Sequence, residues 1–254
     1  MSDAATVVVD GVGVRFGGLW ALREVSFEVR SGSVVGLIGP NGSGKTTLMN
    51  VISGVLKPAE GRVRYAGRTI ADVATHDVCR LGIARTFQIV KPFAGLSVRE
   101  NVAVGAMYGR DGATLSTAAC FERAQALLEE VGLARVAGRP AGDLTIPDRK
   151  RLEVAKALAL DPSLLLLDEV MAGLNASEVD EALALLRQVN ARGVTLIVVE
   201  HLMKAIMSIS TSIVVLAEGK KIAEGVPADI VRSPAVVEAY LGARYAARQA
   251  RERR

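Results

Sequence analysis

The sequence predicts an α/β fold: a parallel-sheet core carrying a phosphate loop, an antiparallel β-subdomain and an inserted helical subdomain. Three observations predict it. An apolar run, Val34-Val35-Gly36-Leu37-Ile38, leads into Gly39-Pro40-Asn41-Gly42-Ser43-Gly44-Lys45-Thr46-Thr47, and helix-forming residues follow to Ser53. A second apolar run, Leu164-Leu165-Leu166-Leu167, ends in the carboxylates Asp168 and Glu169. A strand–helix–strand rhythm then continues from Leu164 to Glu200. Continuous apolar runs of this length suit strands covered on both faces, as parallel sheets require.

The elements follow in order. From Val7 to Tyr65 the chain is strand-rich. Val12, Val14 and Phe16 alternate with small or polar residues, as do Val25, Phe27 and Val29, and turns fall at Gly17-Gly18, Ser31-Gly32-Ser33 and Gly61. From Ser97 to Ala137 the period lengthens to three and four residues, with Phe121, Ala124, Leu127, Leu128 and Val131 on one helical face. Strands are expected at Leu164 to Leu167 and Val194 to Glu200, with a helix from Ser177 to Ala191 between them. Ile213 to Leu216 and Lys221-Ile222-Ala223 read as a hairpin around Glu218-Gly219. There is no internal repeat.

Residues Gly39 to Thr47 fit G-x-x-x-x-G-K-[ST], the phosphate-binding loop of nucleoside triphosphatases. Gly39, Gly42 and Gly44 let backbone N–H groups close around an anion. Lys45 reaches the β- and γ-phosphates, and the Thr46 hydroxyl can ligate Mg²⁺. The loop opens a helix, whose N-terminus favours phosphate. Ligands of parallel sheets sit at the carboxyl ends of the strands. Asp168 is therefore placed to hold Mg²⁺, and Glu169 to activate water as general base. His201 follows the run Thr195 to Glu200 and is expected at the same sheet edge, either structural or hydrogen-bonded to the γ-phosphate.

Composition narrows the class. Half the residues are hydrophobic and 4% are aromatic. The longest nearly apolar run, Ala205 to Ala217, is too short to span a membrane. The N-terminal residues lack the features of a signal peptide, so a cytosolic chain is expected. Cys79 and Cys120 match no metal or redox spacing and read as reduced thiols. The net charge of +4 equals the excess in Arg244 to Arg254, which holds five Arg and one Glu. That tail is either a solvated helix end or a segment lying near anionic lipid headgroups. Basic residues elsewhere are dispersed without aromatic interleaving, so no nucleic-acid partner is expected.

Together these residues resemble the ATPase subunits of ABC transporters, from Val7 to about Gly242. The resemblance implies one ATPase domain over 1–254, with a helical subdomain at 89–144 and a basic tail at 243–254. It implies ATP and Mg²⁺ as cofactors. Asn41, Ser43 and Thr47 would join the loop glycines, Lys45 and Thr46 around the phosphates. Phe16 stands where an aromatic stacks on adenine, a core role being the alternative. Gln88, in Arg85-Thr86-Phe87-Gln88, matches the glutamine that senses Mg²⁺ and the γ-phosphate. Ala172-Gly173-Leu174-Asn175 matches the loop crossing the dimer interface, where the family often has Asp at the last position. The implied partners are a second ATPase subunit, identical or not, two membrane permeases and, indirectly, a periplasmic substrate-binding protein. The implied place is the cytoplasmic face of the inner membrane.

Arg15-Phe16-Gly17-Gly18-Leu19, Arg151-Leu152-Glu153-Val154-Ala155 and Glu238-Ala239-Tyr240-Leu241-Gly242 look like the hydrophobic amino-acid uptake branch, and like the larger ATPase of branched-chain amino-acid importers. Related members move other amino acids, urea or amides. One departure is large. The family signature L-S-G-G-Q is here Leu144-Thr145-Ile146-Pro147-Asp148. Thr145 can cap a helix and keeps a hydroxyl for the partner's nucleotide. Pro147 has no N–H to give, and Asp148 adds negative charge near an anion. A weakly hydrolysing regulatory subunit and a soluble non-transport ABC ATPase are the alternatives.

Overall fold

The computed structural model describes residues 5–86, 92–110, 112 and 114–241. Gln88 and the 243–254 tail lie outside the described residues. In chain order the elements are β1 (Ala5–Phe16), β2 (Leu19–Arg30), β3 (Val34–Ile38), α1 (Lys45–Ile52), β4 (Glu60–Tyr65), β5 (Arg68–Thr69), α2 (Thr75–Val78) and β6 (Ile83–Arg85). Then come α3 (Val98–Tyr108), α4 (Thr117–Glu130), α5 (Ile146–Ala159), β7 (Leu164–Asp168), α6 (Ala176–Ala191), β8 (Thr195–Val199) and α7 (Met203–Ile209). The chain closes with β9 (Ser212–Ala217), β10 (Lys220–Gly225), α8 (Pro227–Arg232) and α9 (Pro234–Leu241).

The chain forms two compact units, one of residues 1–73 and 206–254, the other of residues 74–205. In the first unit β2, β1, β4 and β5 form an antiparallel sheet in that order. The alternation read in the sequence puts Val25, Phe27 and Val29 in the core and their neighbours in solvent. Trp20, opposite Arg15 in the hairpin, lies under the guanidinium groups of both Arg15 and Arg23. Also in this unit, β3 runs parallel to β9, with Gly36 opposite Ile213, and β9 forms the expected hairpin with β10. Every residue of β3 is buried. Gly36 is needed here because a Cβ would lie 2.9 Å from the Ile206 side chain.

In the second unit β6, β7 and β8 are parallel neighbours, with Leu166 of β7 opposite Ile197 of β8. All five residues of β7 and all five of β8 are buried, as their unbroken apolar runs predict. Helices α3, α4 and α5 share one apolar cluster that includes Val102, Ala124, Leu128 and Leu152. Its entrance is pinned by Asn101, which is fully buried. The Asn101 Oδ1 accepts from the Phe93 N–H at 2.9 Å, and its Nδ2 donates to the carbonyls of Phe93 and Ser97. A reciprocal cap between Ser97 and Glu100 starts α3. Asn175 and Glu178 start α6 the same way, so the exchange of Asp for Asn at 175 preserves the cap.

Candidate active site

The phosphate loop of the first unit sits where β3 ends and α1 begins. Two of its glycines are sterically obligatory. A Cβ on Gly39 would lie 2.1 Å from the Leu216 carbonyl oxygen. Gly44 has φ +102°, and a Cβ there would lie 2.8 Å from the Ala21 carbonyl oxygen. Lys45 is buried, and its ammonium donates to the carbonyls of Gly39 at 2.8 Å and Pro40 at 3.0 Å. The Ser43 hydroxyl is buried and has no hydrogen-bond partner among the described residues. A buried polar atom without a partner is costly. A phosphate oxygen would satisfy it, so the loop fits a nucleotide. Asn41, Gly42 and Thr46 are exposed and Thr47 is half-buried. Phe16 ends β1 with 57% of its surface exposed, which rules out a core role and leaves its ring available for stacking.

The second unit brings Asp168, Glu169 and His201 to the carboxyl ends of β7 and β8. Asp168 is the last residue of β7 and is buried. One of its oxygens accepts from Arg85 at 3.0 Å, and its N–H donates to the Thr86 hydroxyl at 3.1 Å. Glu169 has φ +53°, a left-handed conformation unusual for a residue with a long side chain. Its N–H donates to the Val199 carbonyl at 2.9 Å, so the strand pairing continues past the end of β7. The turn points its carboxylate at His201, with 2.8 Å between Oε1 and Nε2. The two residues are 32 apart in sequence, and the structure joins them as a pair.

Two further groups hold this turn, and sequence reasoning missed both. The Lys150 ammonium, on α5, donates to the Glu169 carbonyl at 2.7 Å. The Glu200 carboxylate accepts from the Met171 N–H at 2.7 Å and is 3% exposed. Burial pushes the Glu200 carboxyl above the usual carboxylate range, against the Met171 N–H, which lowers it, and with Glu169, which raises it further. A carboxyl raised in the folded state contributes most below its unfolded value, and that contribution is lost as pH rises through the folded value. Glu200→Gln keeps an acceptor for Met171 and removes the buried charge. Thermal unfolding from acid to neutral pH is expected to show the variant gaining on the parent as pH rises. A constant gap would refute this.

The degenerate signature opens α5. Thr145 caps the helix by accepting from the Asp148 N–H at 3.4 Å, and Pro147 lies in the first turn. Of the N–H groups at 146, 147 and 148, Pro147 has none and that of Asp148 is taken. Only Ile146 retains a donor for an anion among these described residues.

The sequence and the fold both have relatives among known proteins. The ABC transporter family profile matches residues 22–172, and the branched-chain amino acid ATP-binding cassette transporter profile matches residues 220–246. The chain is 39% identical over 250 residues to the high-affinity branched-chain amino acid transport ATP-binding protein LivG of Salmonella typhimurium, covering 93% of this chain and 97% of that one. It is 38% identical over 246 residues to BraF of Pseudomonas aeruginosa, a protein of the same description, covering 92% and 96%. Among solved structures, a nucleotide-free ATP-binding cassette from an ABC transporter superposes with a TM-score of 0.84 at 30% identity, covering 93% of this chain and 99% of that one. The ADP conformation of an ATP-binding cassette does so with a TM-score of 0.84 at 30% identity, covering 94% and 99%. With its glycine-bound lysine loop and its paired Glu169 and His201, the chain belongs to the ATP-binding subunits of the ABC transporter family.

Proposed function

We propose that the chain hydrolyses ATP to power import of branched-chain or related hydrophobic amino acids. The observation that carries the hydrolytic part is the 2.8 Å contact between Glu169 and His201 at the end of a buried strand. The substrate class is supported by the match at 220–246 and by the names of the relatives.

In this reading Lys45, Ser43 and the loop N–H groups bind the phosphates, and Phe16 stacks on the base. Thr46 and Asp168 would hold Mg²⁺, with Gln88 assigned to sense it; the ion, when bound, neutralises charge on the phosphates. Glu169 takes a proton from water as its oxygen attacks the γ-phosphorus. His201 holds that carboxylate in line. The bond to the leaving ADP breaks, and phosphate and ADP are the products. A second cassette would supply the signature that completes each site; a dimeric post-hydrolysis cassette bound to ADP and phosphate, 26% identical with a TM-score of 0.80, supports the pairing of two cassettes. Membrane permeases, engaged through the helical segment 89–144, would carry the solute, with the cassettes on the cytoplasmic face of the membrane. No described helix is long and apolar enough to cross a membrane itself.

The test is copurification with membrane permeases of the branched-chain amino-acid class and measurement of solute-stimulated ATPase activity. Lys45→Ala is expected to weaken ATP binding about tenfold, the worth of a charge-assisted hydrogen bond. Equilibrium binding of a fluorescent ATP analogue checks this, and unchanged affinity would remove Lys45 from the phosphate contacts.

A further inference from the structure

The second unit contains a cavity of about 200 Å³ between the end of α4, α5 and α6. Its wall is aliphatic, from Val131, Val154, Leu185 and Leu186. It exceeds the roughly 150 Å³ known to hold a benzene-sized ligand. Its charged groups are unequally committed. Arg151 is paired with Glu181, and Glu178 is used in the cap of α6. Glu130 binds Arg192 through one oxygen at 2.7 Å, while Oε1 is buried and has no partner among the described residues. Lys150 spends one N–H on the Glu169 carbonyl, and an ammonium has three.

An unsatisfied carboxylate oxygen, an ammonium with N–H groups to spare and an aliphatic wall are complementary to a small zwitterion with a branched apolar group. We propose that this cavity binds a free aliphatic α-amino acid, its ammonium on Glu130 and its carboxylate on Lys150, and that occupancy slows ATP turnover. The slowing follows from Lys150, which also holds the backbone of Glu169. A carboxylate on a second N–H draws that ammonium toward the cavity, strains its bond to the Glu169 carbonyl and loosens the turn that aims the base. The regulatory half rests on the ATPase reading above, whereas the binding half does not.

The test is calorimetry on the full chain without nucleotide, using L-leucine, glycine and 4-methylpentanoate, which is leucine without its ammonium. L-leucine is expected to bind one to one in the millimolar range, and glycine not to bind, having nothing to place on the aliphatic wall. Removing either side of the ammonium–carboxylate contact, by 4-methylpentanoate or by Glu130→Gln, should weaken binding about tenfold or more. Ala182→Phe fills the cavity and should abolish binding while ATP binding persists. Absence of leucine binding, or equal binding by both variants or by all three probes, overturns the site. In the assembled transporter in vesicles, with solute-stimulated turnover established from the import side, leucine added on the ATPase side should slow turnover in the parent and not in Ala182→Phe. Turnover unchanged at saturating leucine overturns the regulatory half, and a complex without any ATPase activity sinks the ATPase reading while the calorimetric result stands.

Discussion

Glu169→Gln is expected to lower ATP turnover of the assembled transporter by roughly 10²–10⁴-fold, the usual worth of a general base. ATP affinity should persist. The glutamine side chain has the same length and keeps an oxygen for His201, so the 2.8 Å contact can survive the change. The left-handed turn at Glu169 is also no harder for Gln to adopt. What is lost is proton acceptance, so the defect should appear in kcat rather than in binding. Because bound ATP favours the closed pair of cassettes, the variant should accumulate as a nucleotide-bound dimer. Single-turnover kinetics and size-exclusion chromatography with ATP check both parts. Near-normal turnover would show that another group takes the proton.

The second large effect concerns the signature. On the proposed reading, each ATP site would join the phosphate loop and carboxylates of one cassette to the signature of the other. The helix start at Ile146 would then act on its partner's site. With Pro147 lacking an N–H and the Asp148 N–H bound to Thr145, that start offers an anion little beyond Ile146. Losing one charge-assisted donor costs about 1.5–3 kcal/mol, or roughly ten- to hundredfold in rate. A homodimer would carry the defect twice, so the purified chain alone should be a poor ATPase. A heterodimer with a complete signature in the partner should have one fast site, built on Lys45, Glu169 and His201. Changing Ile146 and Pro147 to glycine and Asp148 to glutamine should raise turnover of the isolated chain by that factor. A parent rate already equal to the restored variant would show that Thr145 and the remaining donor suffice.

The parts of the fold legible in the sequence are those whose signal is local. The strands at 34–38, 164–168 and 195–199 are unbroken apolar runs, and burial on both faces is what makes them so. Thr145 before Ile146-Pro147 marks a helix start by cap chemistry alone, and the structure places α5 there. The proposed site residues at 39–47, 168–169 and 201 stood out by residue type and by position at strand ends. Three supports did not. Arg85 lies 83 residues from Asp168, Glu200 29 from Met171 and Lys150 19 from Glu169. None of these pairs has a periodicity to announce it. Glu200 reads as the polar end of a strand, and Lys150 as one of several cations on the helix that follows the signature. The exposure of Phe16 was also open, because a strand's last residue can turn to either face.

The resting position of Lys45 has a thermodynamic consequence. Its ammonium rests on the carbonyl oxygens of Gly39 and Pro40, so the loop supplies the counter-dipole for its own cation. Those bonds hold the two ends of the loop together. A bound phosphate then shares the ammonium with the Gly39 and Pro40 carbonyls, in a loop that these bonds help to hold. Little conformational entropy then has to be surrendered on binding. The enthalpy of capture is correspondingly smaller than an ammonium without other partners would give. Such sharing makes nucleotide uptake readily reversible, as a subunit that must release ADP in every cycle requires.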